Sequence, residues 1–303
     1  MKKFTLPIAL CSLFISFLSL QQSHENSAAG LQSINISNTN LEKLVGRFKF
    51  TEGPVWHPSG FLLFSDIPAD TIYKWTTDGK VVVFRYPAGN PNGNTFDRQG
   101  RLITAQHKRR LVRTEKNGQI SVLAERYQGK RLNSPNDVVV KSDGSIYFTD
   151  PPYGISKDKE ELGFYGIYRL KPDRTLTLLN KEMVRPNGLA FSSDEKKLYI
   201  SDSDKGHIRV FEVKSDGTLT NSKVFAQLTG PKDKGIPDGL KVDVKGNIYC
   251  SGSGGVWIFS PTGQFLGKIT VPEVVTNLAW GDKDYKTLYI TAGQSVYRTR
   301  LKG

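Results

Sequence analysis

The sequence predicts an all-β protein, a six-bladed β-propeller of four-stranded antiparallel blades, on three observations. First, a short phrase recurs: Glu52-Gly-Pro-Val-Trp, Asn136-Asp-Val-Val-Val, Asn187-Gly-Leu-Ala-Phe and Asp238-Gly-Leu-Lys-Val, with weaker copies at Asn92-Gly-Asn-Thr-Phe96 and Thr276-Asn-Leu-Ala-Trp280. Second, the register residues 52, 92, 136, 187, 238 and 276 are 40, 44, 51, 51 and 38 apart. Such a period, with several short strands per unit, is that of propeller blades. Third, each phrase opens an apolar strand, and a turn leads to a second strand such as Phe64-Ser-Asp66, Phe148-Thr-Asp150 or Ile200-Ser-Asp202.

The first two strands of a unit are joined by hairpin turns: Pro58-Ser-Gly60, Asp97-Arg-Gln-Gly100, Lys141-Ser-Asp-Gly144 and Val244-Lys-Gly246. These carry the Asp and Gly residues that tight turns require. Glu52 to Ser65, Asn92 to Ala105, Asn136 to Thr149 and Asp238 to Ser251 are all 13 residues, and Asn187 to Ser201 is 14. Third and fourth strands follow across further turns, as in Thr71–Trp75 and Val81–Phe84, or Val256–Phe259 and Phe265–Ile269. The sixth unit is one strand short, and Leu41–Phe48 has strand character but no partner in unit one. That segment is expected to supply the outer strand of the last blade, closing the ring and removing an open edge.

The chain has 303 residues and a net charge of +13. Lys2-Lys3 and the apolar run Phe4–Leu20 have the layout of a secretory signal, so residues 1–29 are read as a signal peptide and 30–303 as one propeller domain. Removal lowers the net charge to about +12. Seventeen residues interrupted by Pro7 are short for a spanning helix, so no transmembrane segment is expected after cleavage, and a secreted or periplasmic location follows. Lys and Arg are scattered, with Lys108-Arg-Arg110 the one tight cluster, which reads as a solvated basic face rather than a nucleic-acid surface. Cys250 is left without a disulfide partner once Cys11 is removed. A closed ring has no sheet edge to hide, so a monomer is expected.

In a propeller the first strands line a central channel, and their opening residues meet at one mouth. There the register residues form a ring of Glu52, Asn92, Asn136, Asn187, Asp238 and Thr276. Two unpaired carboxylates in such a place cost several kcal/mol each. No register position is Lys or Arg, so a cation is expected to neutralise them. Oxygen ligands suit a hard divalent ion, Ca²⁺ first, with Mg²⁺, Mn²⁺ and carboxylate-bound Zn²⁺ left open. Against this stands a set of strand-start caps, in which Asn and Asp bond their own turns. His107 falls at the same mouth, either to polarise a carbonyl or shuttle a proton, or as a satisfied loop histidine. Asp137, Tyr153, Arg109 and Asn92 are candidate substrate contacts. The long connection Pro151–Gly166 is expected over the mouth as a lid. Asp66, Asp150 and Asp202 end second strands and are read as structural. No Gly-x-Ser-x-Gly elbow supports a serine hydrolase.

These residues resemble the gluconolactonase, senescence-marker-protein and regucalcin family of propellers over nearly the whole chain. The likeness rests on Thr51-Glu-Gly-Pro-Val-Trp56, Ser134-Pro-Asn-Asp137, Phe148-Thr-Asp-Pro-Pro-Tyr-Gly154, Arg185-Pro-Asn-Gly-Leu-Ala-Phe191, Pro237-Asp-Gly-Leu240 and Thr276-Asn-Leu-Ala279. It implies one divalent cation held by Glu52, Asn136, Asn187 and Asp238, with Asp238 also acting as base or nucleophile. It implies hydrolysis of sugar lactones, with organophosphates the substrates of related propellers. Bacterial members often carry Glu-His where this chain has Gln106-His107. The expected chemistry is metal polarisation of a lactone carbonyl, with Asp238 activating water and His107 assisting the oxyanion. Two alternatives remain: an aryl-ester or phosphotriester hydrolase at the same metal, and a non-catalytic, calcium-stabilised binding module.

Overall fold

The structure is a computed structural model and describes residues 40–301; the expected signal peptide lies outside the described residues. Six four-stranded antiparallel sheets are arranged as the blades of a propeller. Blade 1 comprises Thr51–His57, Phe61–Asp66, Thr71–Thr76 and Val81–Arg85, each strand pairing with the next. Blades 2 to 5 repeat this order, and a small two-stranded hairpin, Arg126–Tyr127 with Lys130–Arg131, lies between blades 2 and 3. Blade 6 runs Val275–Gly281, Thr287–Ala292, Ser295–Arg300, and its outer strand is Glu42–Val45. Glu42 pairs with Arg298 and Lys43 with Tyr297, so the expected closure of the ring by the N-terminal strand is borne out.

The strands alternate because each blade packs on both faces against its neighbours. In the second strand of blade 1, Leu62 and Phe64 face the cluster shared with Tyr289 and Val296 of blade 6. Leu63, from the same strand, faces Ile72, Ala88 and Leu102 towards blade 2. Apolar clusters of this kind fill the blade interfaces around the ring. Among the described residues no helix is long and apolar enough to cross a membrane.

Two repeated devices set the position of the mouth. The aspartates that end second strands catch the backbone entering the same blade. Asp66 accepts from the N–H groups of Lys49 (2.9 Å) and Phe50 (3.1 Å), and Asp202 from Val184 (2.8 Å) and Arg185 (3.2 Å). Asp150 does the same for Asn133 at 2.8 Å. In three blades the hydroxyl 13 or 14 residues beyond a register residue bonds the register carbonyl of the next blade, whereas Ser251 donates to Ile236 O at 3.3 Å. Ser65 donates to Asn92 O (2.7 Å), Thr149 to Asn187 O (2.7 Å) and Ser201 to Asp238 O (2.6 Å). In those three blades the spacing is therefore a staple to the next blade.

Candidate active site

All six register residues, Glu52, Asn92, Asn136, Asn187, Asp238 and Thr276, line one cavity of about 420 Å³. His107 and Tyr153 line it too, so the sequence-derived set converges. In four blades the strand carries a bulge at the register residue, between Glu52 and Val55, Pro91 and Asn94, Pro186 and Leu189, and Val275 and Asn277. A bulge re-aims a side chain, here into the channel. Gly53 takes φ +49°, and a Cβ there would lie 2.0 Å from the carbonyl oxygen of Asn92.

The electrostatics are those of a crowded anionic ring. Glu52 is 2% exposed and is pushed up to about 7 by burial first and by Asp137 second. Burial raises Asp238 well above the ordinary carboxylate range, and Glu52 and Asp137 add to the rise. The amides face the same space. Asn92 Oδ1 and Asn187 Oδ1 are buried without a hydrogen-bond partner among the described residues, although Asn187 Nδ2 donates to Ser203 Oγ at 3.0 Å. Buried carbonyl oxygens are rarely left unpaired. Two of them beside two repelling carboxylates make a set that fits a hard, oxygen-seeking cation. Among the described residues no three His, Cys, Asp or Glu side chains group as a metal cluster, so the fit depends on the amides.

His107 is half-buried, and its Nε2 lies 3.0 Å from Asn92 Nδ2. Burial lowers it to about 4, so it is neutral at pH 7. Tyr153 and Gly154 bring the start of the long loop to the mouth. Gly154 N–H donates to Ser134 Oγ at 2.9 Å, and the glycine packs so closely that a Cβ would sit 2.5 Å from His107. Asn187 Nδ2 reaches Tyr153 OH at 3.4 Å.

Two expected substrate contacts are placed elsewhere. Arg109 does not line the cavity: its Nε donates to Leu132 O at 2.6 Å and it pairs with Glu161 at 3.3 Å, because its turn faces the hairpin between blades 2 and 3. Asp137 lies beneath the ring, 2% exposed, with Oδ1 taken by Val138 N–H at 2.9 Å and Oδ2 facing Asn277. Asn136 and Asp137 precede the strand Val138–Val140, and the bond from Val138 N–H holds Asp137 below the ring while Asn136 lines the cavity.

Sequence reasoning missed other members. Phe50, Ile67, Pro68, Ile236 and Val274 form an apolar wall on one side of the cavity, with Lys232 at its rim. Beneath the ring, Lys241 Nζ donates to Asn277 Oδ1 at 3.3 Å, and its charge favours the ionised form of Glu52. A basic side chain thus does reach the channel, from a position three residues after a register residue. The available signals were a lysine inside the short apolar strand Leu240–Val242, and Asn277 directly after Thr276.

Residues 50–294 match the family described as SMP-30/Gluconolactonase/LRE-like region. The chain belongs to this family. A gluconolactonase of Zymomonas mobilis is 37% identical over 300 residues, covering 90% of this chain and 84% of the relative. A gluconolactonase structure from Xanthomonas campestris is 36% identical with a TM-score of 0.82, covering 89% of this chain and 92% of the other. A pentonolactonase of Haloferax volcanii is 26% identical over 249 residues, 79% of this chain and 80% of the relative. Within the SMP-30/gluconolactonase family, the ring and its cavity are thus carried on a propeller whose similarity runs through nearly all its blades.

Proposed function

We propose that the chain is a divalent-metal-dependent lactonase that opens sugar lactones of the gluconolactone kind. The observation that carries it is one cavity with two carboxylates forced together and, beside them, the buried amide oxygen of Asn187 without a donor among the described residues. Glu52, Asn136, Asn187 and Asp238 would hold the cation, Ca²⁺ first. When bound, a cation of this kind polarises a carbonyl and stabilises the charge that develops on its oxygen. Asp238, beside that position, would take the proton of the attacking water. Asn92 and the neutral His107 would bond the sugar hydroxyls or the carbonyl, and Tyr153 would close the ring of contacts from the long loop. The water oxygen bonds to the carbonyl carbon, the bond to the ring oxygen breaks, and the leaving alkoxide takes a proton from solvent or a mouth residue. The named activities of the Zymomonas, Xanthomonas and Haloferax relatives support lactones as the substrate class.

The test is proton release from gluconolactone by metal-stripped protein, with Ca²⁺, Mg²⁺, Mn²⁺ and Zn²⁺ returned one at a time and spontaneous hydrolysis subtracted. Turnover is expected to return with a divalent ion and to fall by about 100-fold or more in Asp238→Asn, with the fold intact by circular dichroism. A protein that binds an ion yet turns over no lactone would sink the reading. The apolar wall from Phe50 to Val274 favours one second reading, an ester or lactone bearing an apolar group. Relative kcat/KM on an aryl ester and on gluconolactone separates the two. Export, supported by Lys2-Lys3 and the following apolar run, is tested by sequencing the N-terminus of the mature protein.

A further inference from the structure

We propose that Lys241 and Asn277 are a positioning pair that fixes the Glu52 carboxylate from beneath the ring; the inference rests on the cation reading above. One step beyond each register residue lies a second, deeper ring: Gly53, Gly93, Asp137, Gly188, Gly239 and Asn277. Four glycines leave the centre to the two side chains. A Cβ on Gly93 would lie 2.6 Å from Asp137 Oδ1, and one on Gly239 would lie 2.1 Å from Asn277 Oδ1. Asn277 is therefore held at close quarters on the axis, 2% exposed.

The polarity of its amide decides what Glu52 can do. Asn277 Oδ1 accepts from its neighbour Leu278 N–H at 2.8 Å and from Lys241 Nζ at 3.3 Å. An ammonium has only donors, so Lys241 can face only the oxygen end of the amide. Nδ2 is thereby turned to two acceptors, Glu52 Oε2 at 3.0 Å and Asp137 Oδ2 at 3.4 Å. Gly53 N–H donates to the same oxygen of Glu52. One carboxylate oxygen is thus held from below, and Oε1 is left for the cavity. The reversed amide would set its oxygen against two carboxylates and its N–H groups against an ammonium and a backbone N–H. Lys241 is anchored in turn on Leu240 O at 3.0 Å. The pair touches neither the cavity nor a substrate in it, so its effect is on where Glu52 sits.

The experiment is calorimetric titration of Ca²⁺ into metal-stripped wild type, Lys241→Met, Asn277→Ala and the double variant, with thermal melts to establish folding. Removing the partner that orients a ligand costs about 10- to 100-fold in metal affinity. Each single variant is expected to weaken Kd by at least about tenfold. The double variant is expected to be no weaker than the weaker single, because both act through one amide. Lys241→Arg, which keeps donors and charge, should stay within about threefold of wild type. At saturating metal, kcat should fall while KM for lactone holds within about twofold. An unchanged or tighter Kd in Lys241→Met would overturn the proposal, since it would make the lysine a bystander or a charge that merely opposes the cation. Losses that add in the double variant would overturn it as well. Lys241→Met keeps the side-chain length, so the test stands even if Asn277→Ala does not fold. A wild type that binds no divalent ion would instead remove the cation reading, and the positioning role with it.

Discussion

Glu52 and Asp238 hold protons more tightly in the folded chain than unfolded carboxylates do, because burial and mutual repulsion both oppose their charge. Their contribution to stability is complete below the ordinary carboxylate range of about 4 and is lost as pH rises through the folded values, about 7 for Glu52. His107 acts with the opposite sign: lowered to about 4, it favours the unfolded chain as pH falls below the usual histidine value, so its slope ends near pH 6.5. Above that point the buried carboxylates set the slope, with Asp150, pushed up to about 7 by burial, acting in the same direction. The metal-free protein should melt roughly 5 °C lower at pH 8.5 than at pH 6.5. Saturating Ca²⁺ should reduce that fall, since a cation favours the ionised pair while Asp150 keeps its own part. A metal-free melting temperature that rises over this interval would contradict the assignment. At this scale the sequence was informative about residue type: Glu52, Asn136, Asn187 and Asp238 were legible because their register recurs. The outlook of Asp137 and Arg109 was not legible. Asp137 follows a cavity-lining residue but is held below the ring by Val138 N–H, and a turn sends Arg109 to the hairpin between blades.

The repeated element is a strand whose first residues are register residue, then glycine, then an apolar run. In Glu52-Gly, Asn92-Gly, Asn187-Gly and Asp238-Gly the glycine is forced by the crowding of six strands about one axis. Gly239→Ala is the sharpest test, because its Cβ would meet Asn277 Oδ1 at 2.1 Å and the Asn277 backbone at 2.6 Å. A loss of about 1–3 kcal/mol is expected from overpacking of this kind, read by urea unfolding, together with weaker cation binding as Asn277 is displaced from Glu52. A change within about 0.5 kcal/mol would show that the deeper ring has slack. The hairpins were legible in their Asp-Gly turns, and the constant spacing from register residue to hydroxyl was visible as a number. Its meaning was hidden. Ser65, Thr149 and Ser201 bond the following blade rather than their own, and a spacing within one unit carries no sign of the neighbour.

For the whole molecule the closing strand is the critical join. Glu42–Val45 covers the edge of Ser295–Arg300, and Phe48 packs edge-on against Phe64 at 4.9 Å. Lys43 reaches Glu273 at 3.1 Å. A chain beginning at Arg47 would lose the outer strand of blade 6 and expose its ladder groups. Its melting temperature should fall by roughly 5 °C or more relative to a chain beginning at Asn40, with more self-association by light scattering. Equal melting temperatures would mean that the ring does not need its clasp. The unpaired third strand of the last unit, set against an unmatched strand-like segment at the start, made this join readable from sequence alone.

The sequence by itself determined the blade count, the strand order, the closing join and which residue types stand in the ring. These depend on short-range rules: period-two alternation, turn residues and a recurring phrase. Only the tertiary structure decided which side chains meet. Asn277 bonds Glu52 across 225 residues and faces Asp137 across 140. The apolar wall joins Phe50 and Ile67 to Ile236 and Val274. No local pattern encodes such meetings. They exist because the last blade is brought back against the first, which places six distant strand starts, and whatever lies one or three residues beyond them, around a single axis.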